Sequence, residues 1–172
     1  MCVIVYKPKG VRMPSSNIIK ACARANRDGF GFCTPTKFFK STSYEQFKEQ
    51  LASVETDEPC IMHFRLATHG SVCKSNCHPF KKGDVFFAHN GVLSITPYKG
   101  KTDSETAFLK YIYPAIMQGG LDSSECDTAV YNTIESSRFA IMQGEDVRLF
   151  GQFLKNEGCF YSNFRFTHYL YN

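Results

Sequence analysis

The apolar residues of this chain fall in short runs of strand length, such as Val3 to Tyr6, and glycine and proline residues keep them from growing longer. No run approaches the roughly 18 apolar residues of a membrane span, so a soluble fold of several short strands is expected. Strands are predicted at Cys2 to Tyr6, Phe30 to Cys33, Lys37 to Lys40, Cys60 to Ala67, Asp84 to His89, Arg138 to Met142 and Val147 to Phe150. A Gly144-Glu145 hairpin joins the last two, and period-two aromatics at Phe164 and Phe166 extend the strand pattern. Between the runs lie stretches with helical spacing. Ile18, Ile19, Cys22 and Ala25 share one face of a helix predicted over 16–26, capped by Ser15 or Ser16. Ser43 and Gln46 form a capping-box pattern that predicts a helix over 43–54. Two more are expected over 103–113, where Pro114 kinks or ends the helix, and over 127–136. Helices inserted between strands in blocks point to an α+β layered domain rather than strict βαβ alternation. A chain of 172 residues with 16 Phe and 9 Tyr can fill the core of one such domain, spanning 1–172.

Charge excludes little. The net charge is +4, and nine of the twenty basic residues lie in the first fifty, but they form no block and read as scattered solvated charges. Phe160, Tyr161, Phe164, Phe166, Tyr169 and Tyr171 with Arg165 resemble a base-stacking surface, yet alternating aromatics more simply fill a sheet-packing core. Nucleic-acid binding is therefore not expected.

The eight cysteines include no C-x-x-C pair. His69, Cys73, Cys77 and His78 lie close in sequence, but their spacing fits no standard zinc pattern, and no metal is expected. Without a signal-peptide pattern the protein is expected in the reducing cytoplasm, with most thiols free and buried. Cys2 stands apart because it directly follows Met1. If Met1 is removed, one residue carries a thiol with a reference pKa of about 8.5 and an α-amine of about 7.7–8.0. The amine can then take the thiol proton, directly or through a water, as sulfur attacks a carbonyl. The competing reading is a small apolar residue that begins the first strand.

Cys60 to Gly91 reads CIMHFRLATHGSVCKSNCHPFKKGDVFFAHNG, in which a polar loop of unusual length separates the two predicted strands. With the start MCVIV and the later TDSE at Thr102 to Glu105, this resembles the class II glutamine amidotransferases. That family carries R-x-A-T-H-G, N-x-H-P, H-N-G and [ST]-D-[ST]-E elements in this order behind an N-terminal cysteine, and the turn Asp28-Gly29-Phe30-Gly31 is similar to its D-G-x-G element. The resemblance spans positions 2 to 105. It implies the four-layer αββα sandwich of the N-terminal-nucleophile hydrolases, with the nucleophile at the start of a central strand, and no cofactor. It also implies hydrolysis of L-glutamine to glutamate and ammonia through a Cys2 thioester. Asn90 and the Gly91 N–H would then hold the oxyanion. Arg65 would bind the substrate carboxylate, Asp103 its ammonium, and Thr68 and His69 would line or brace the pocket.

Alternatives exist for each residue. Asn90-Gly91 also suits a type I′ hairpin turn, Arg65 a structural ion pair, and Asp103 a helix N-cap. A Cys–His dyad drawn from His63, His69, His78 or His89 competes with the terminal amine as the base. For the whole protein the leading expectation is a stand-alone glutaminase subunit feeding ammonia to a separately encoded ligase or synthetase. Another γ-glutamyl or amide substrate on the same scaffold, and a non-catalytic binding module, are the two alternatives.

Overall fold

The computed structural model describes residues 2–67 and 70–170. It is an α+β fold built on two antiparallel sheets. The first sheet has the order β3 (Phe38–Ser41), β2 (Gly29–Cys33), β4 (Cys60–Arg65), β1 (Val3–Lys7), β10 (Cys159–Tyr161) and β9 (Leu154–Asn156). The second has the order β5 (Phe80–Lys82), β6 (Val85–Asn90), β7 (Arg138–Gln143) and β8 (Asp146–Phe150). The nucleophile candidate thus precedes an inner strand, with Val3 opposite Phe64 of β4.

Alternation along each strand sends neighbouring side chains to different cores. Val3, Val5, Met62, Phe64, Phe30 and Phe32 face α1 (Ser16–Ala25) and α2 (Tyr44–Leu51). There Phe47 is fully buried among the rings of Phe30, Phe32 and Phe64, at 5.7, 6.1 and 5.4 Å, a burial that stabilises by about 1.5–3 kcal/mol. On the second sheet Val85, Phe87, Phe139 and Ile141 face the helices α3 (Asp103–Ala107), α4 (Tyr113–Gly119) and α5 (Ser124–Ile134). Ile4, Cys33, Ile61, Phe86, Ala88, Ala140 and Met142 form a third cluster with residues from both sheets.

Each cap follows from a side-chain oxygen placed before a helix. Ser15 Oγ accepts from Ile18 N and Ser43 Oγ from Gln46 N, both at 3.4 Å. Only half of the capping box forms at Ser43, because Gln46 Oε1 is taken by the Ser41 hydroxyl at 2.7 Å. The helix predicted over 103–113 does not stop at Pro114. A wide π turn at Phe108–Ile112 carries it into α4, where proline sits in the first turn and its missing N–H leaves no intrahelical gap. The strand expected at Phe164 and Phe166 is a 3-10 turn, Arg165–Tyr169. Thr167 Oγ1 donates to Phe164 O at 2.8 Å, and Phe166 packs with Tyr161 and Phe164 against the first core. Tyr161 and Phe166 are buried, so they serve packing. Among the described residues no helix is long and apolar enough to cross a membrane.

Candidate active site

The elements that hold the site all end on one cavity. Cys2 enters β1, Arg65 ends β4, Gly91 follows β6 and Asp103 begins α3, and these four line it with His78, His89, Asn76 and Ser104. The cavity is about 50 Å³ and shares Asn76, Gly91, Thr102 and Asp103 with a groove of about 480 Å³ flanked by Val92, Leu93, Ile95 and Pro97.

Cys2 Sγ lies between the backbone groups of Leu66, accepting from its N–H at 3.4 Å and facing its carbonyl at 3.6 Å. Burial pushes the thiol up from its ordinary value, against the pull of the Leu66 hydrogen bond and the Arg65 charge. Cys2 therefore rests as a neutral thiol, which needs a base if it is to act as a nucleophile. Arg65 is buried and donates from Nη1 to Ser71 O at 3.1 Å, which anchors the following loop to the strand end. Asn76 Nδ2 donates to the same carbonyl at 3.1 Å.

Asp103 is not the cap of α3. Thr102 Oγ1 fills that role by accepting from Glu105 N at 3.1 Å. The Asp103 carboxylate instead accepts from Leu93 N at 3.1 Å and Ser104 N at 2.7 Å, which fixes it at the cavity wall. Gly91 has φ +150, and a Cβ there would run into the Ser137 hydroxyl, so the bend after β6 is open only to glycine. Asn90 is fully buried at the end of β6, with Nδ2 donating to Ser162 Oγ at 2.8 Å. Among the described residues its Oδ1 has no partner. Asn90 pairs with Arg138 of β7 in the ladder, so the tight Asn-Gly hairpin considered for it does not form. Thr68 and His69 lie outside the described residues.

Behind the cavity three buried histidines stand together, the His63 and His78 rings at 4.3 Å and those of His78 and His89 at 6.4 Å. His63 Nε2 bonds with His89 O at 3.0 Å, and His89 Nδ1 with Ser104 Oγ at 2.7 Å. Burial pushes His63 down to about 3, takes His78 well below its ordinary value, and lowers His89 to about 4 despite the Asp103 charge. Such imidazoles are neutral and too weakly basic to deprotonate a thiol whose own value is raised, which disfavours them as the base of a Cys–His dyad. Among the described residues no group of three or more His, Cys, Asp or Glu could hold a metal ion.

Three residues of the D-G-x-G turn do more than turn the chain. Asp28 Oδ2 accepts from Ala67 N at 2.8 Å, and Asp28 N donates to Arg65 O at 2.9 Å, so this aspartate clamps the loop after β4. A Cβ at Gly29 would meet the Cys77 sulfur and one at Gly31 the His78 carbonyl, so both glycines let the Cys77-His78 segment lie directly on β2. Ser162 and Asn163 were not visible as site residues in the sequence. Nothing local marks them, since they act through contacts across 158 and 161 residues with Ile4 and Cys2.

The family model for class II glutamine amidotransferases matches residues 20–135. A Saccharomyces cerevisiae protein named probable glutamine amidotransferase DUG3 is 33% identical over 81 residues, which cover 47% of this chain and 22% of the yeast protein. The match thus spans less than a quarter of that relative's length. With the family model covering more than half of the sequence and the family's motif residues gathered on one cavity, the chain belongs to the class II glutamine amidotransferases, a family of enzymes.

Proposed function

We propose that the protein hydrolyses the side-chain amide of L-glutamine to glutamate and ammonia through a thioester on Cys2, exposed as the N-terminal residue by removal of Met1. One observation carries this reading: Cys2, Arg65, Gly91 and Asp103, from four separate segments, line a single cavity. Arg65 offers a planar guanidinium to the substrate carboxylate and Asp103 an anchored carboxylate to its ammonium. The raised thiol transfers its proton to the α-amine as sulfur attacks the amide carbon. The Gly91 N–H and the Asn90 amide receive the oxyanion in both half-reactions, each donor being worth about 100- to 1000-fold in rate. The amine then returns its proton to the leaving ammonia, and water cleaves the thioester. Thr68 and His69 complete the pocket in this reading, and no cofactor takes part.

The three apolar clusters, one on the outer face of each sheet and one between them, support a four-layer αββα sandwich of the N-terminal-nucleophile hydrolase type. The ammonia acceptor in this reading is a separately encoded ligase or synthetase. A cytoplasmic location suits the eight free cysteines.

The wide groove next to the small cavity favours a second reading, in which the substrate is a bulkier γ-glutamyl amide. Comparing glutamate release from L-glutamine and from γ-glutamyl amides of increasing size separates the two. A glutamine-like diazo-ketone labelling Cys2, together with ammonia release from glutamine, supports the main reading. Labelling of Cys22 or Cys73 in place of Cys2 contradicts it. Affinity capture of an ammonia-consuming enzyme tests the partner.

A further inference from the structure

The nucleophile and the proposed oxyanion donor are carried on different sheets. Cys2 leads into β1 of the six-stranded sheet, whereas Asn90 ends β6 of the four-stranded one. Between the sheets lie Ile4, Phe86, Ala88, Ala140 and Met142, apolar contacts that resist separation but are non-directional. The His63 Nε2–His89 O bond at 3.0 Å ties β4 to β6, but it holds neither the Asn90 side chain nor β1, so a further bond with angular demand must fix the amide against the Cys2 strand.

Residues 162 and 163, directly after β10, meet both. Ser162 N donates to Ile4 O at 2.9 Å, and Ile4 N donates to Ser162 Oγ at 2.8 Å. The same hydroxyl oxygen accepts from Asn90 Nδ2 at 2.8 Å. Its neighbour Asn163 donates from Nδ2 to Cys2 O at 2.9 Å and accepts Arg165 N at 3.1 Å, which holds the amide in place. A serine oxygen has two lone pairs, here matched by one donor from each sheet. Ser162 and Asn90 are both buried, so no solvent competes for these bonds.

We propose that Ser162 is the positioning residue that holds the Asn90 amide in register with the Cys2 sulfur, with Asn163 fixing the backbone of Cys2 from the same loop. The proposal rests on the glutamine-hydrolysis reading and adds to it a segment outside the 20–135 family match. Ser162 touches no reacting atom; it acts through Asn90. Reacting groups displaced by about 1 Å lose on the order of 100-fold in rate, so releasing this tether should affect turnover far more than substrate binding.

The test is a double-mutant cycle on the full-length protein with kcat and KM read separately. Ser162→Ala should lower kcat by roughly 10- to 100-fold and leave KM within about twofold, because Arg65 and Asp103 are untouched. Asn90→Ala should lower kcat by about 100-fold or more, and the double variant should be no more than about threefold slower than Asn90→Ala alone. Ser162→Thr, which keeps the hydroxyl, should restore most of the rate. If Ser162→Ala does not fold, Ser162→Cys keeps the size, weakens the hydrogen bonds and carries the same cycle. An unchanged kcat in folded Ser162→Ala or Ser162→Cys, or losses that multiply in the double variant, overturns the proposal. An independent readout is the Asn90 side-chain amide signal in nitrogen-15 NMR, whose proton exchange should quicken in Ser162→Ala. An inactive wild-type protein would count against glutamine hydrolysis itself, whereas an active one with an unaffected Ser162→Ala counts against the positioning role alone.

Discussion

Cys2 and Leu66, 64 residues apart in the chain, hold each other: the Leu66 N–H points at the Cys2 sulfur at 3.4 Å and the Leu66 carbonyl faces it at 3.6 Å. The residue before Leu66 is the buried Arg65, so the strand end that orients the sulfur also places the guanidinium on the same cavity. In the proposed mechanism, nucleophile and substrate anchor are thus set by one stretch of backbone.

Replacing the sulfur tests this directly. Cys2→Ala should bring glutamate release to background without loss of folding, since Cys2 is only partly buried. The intact mass of the native protein should lack Met1, and a variant that retains Met1 should be as inactive as Cys2→Ala. An active protein with Met1 in place would refute the N-terminal mechanism.

The pH–rate profile distinguishes the amine from an imidazole as base. With the thiol raised by burial, kcat/KM should climb with pH through the amine value of about 7.7–8.0. An ascending limb between pH 5.5 and 7 would instead point to a histidine.

Stability should fall in mild acid. His63 and His89 titrate at about 3 and 4 in the folded protein and His78 well below its ordinary value, whereas in the unfolded chain all three titrate near 6.5. The unfolded state therefore binds more protons as pH drops below about 6.5, and the stabilisation from keeping these rings neutral is present above that value and lost below it. At pH 5 each buried histidine should have cost about 2 kcal/mol relative to pH 7.5, which urea unfolding at the two pH values would measure. An unchanged midpoint would show that the rings are not buried in neutral form.

Gly31→Ala should destabilise by about 1–3 kcal/mol and reduce kcat/KM, because its Cβ displaces the His78 backbone beside the cavity. Gly144→Ala makes a useful contrast. Its φ of +59 costs about 1–2 kcal/mol in alanine, but nothing surrounds the new methyl and activity should persist. Equal kinetics for the two variants, measured beside their thermal midpoints, would sever Gly31 from the site.

Thiol reactivity should follow the hydrogen bonds. Cys73 is held by the Ser71 and Ser75 hydroxyls at 3.3 and 3.1 Å and is lowered to about 7, whereas burial pushes Cys22, Cys33 and Cys60 up. Iodoacetamide at pH 7.5 should therefore modify Cys73 well before those three, as peptide mapping would show.

The motifs made the placement of Arg65, Gly91 and Asp103 on one cavity legible, because each sits at an element end where the local sequence says why. Gly91 needs its φ of +150, and Thr102 caps α3 and leaves Asp103 for the cavity. The helices were legible through Ser15 and Ser43. The bracing was not. Ser162 is an ordinary serine in its own neighbourhood, and its meaning lies in strand β1, which no periodicity connects to it. Gly31 likewise looked like part of a turn, although its role is to let the His78 backbone pass. Pro114 was misleading for a related reason: its effect depends on the π turn before it, a feature without a local signature.

The placement of β1 between β4 and β10 gives the order of synthesis a consequence. On the ribosome Cys2 emerges well before the partners of its strand, and the contact from Asn163 spans 161 residues. A nascent chain stalled before β10 carries the Cys2 thiol without Asn163, so the backbone of Cys2 is not yet held from that side until translation has passed that point.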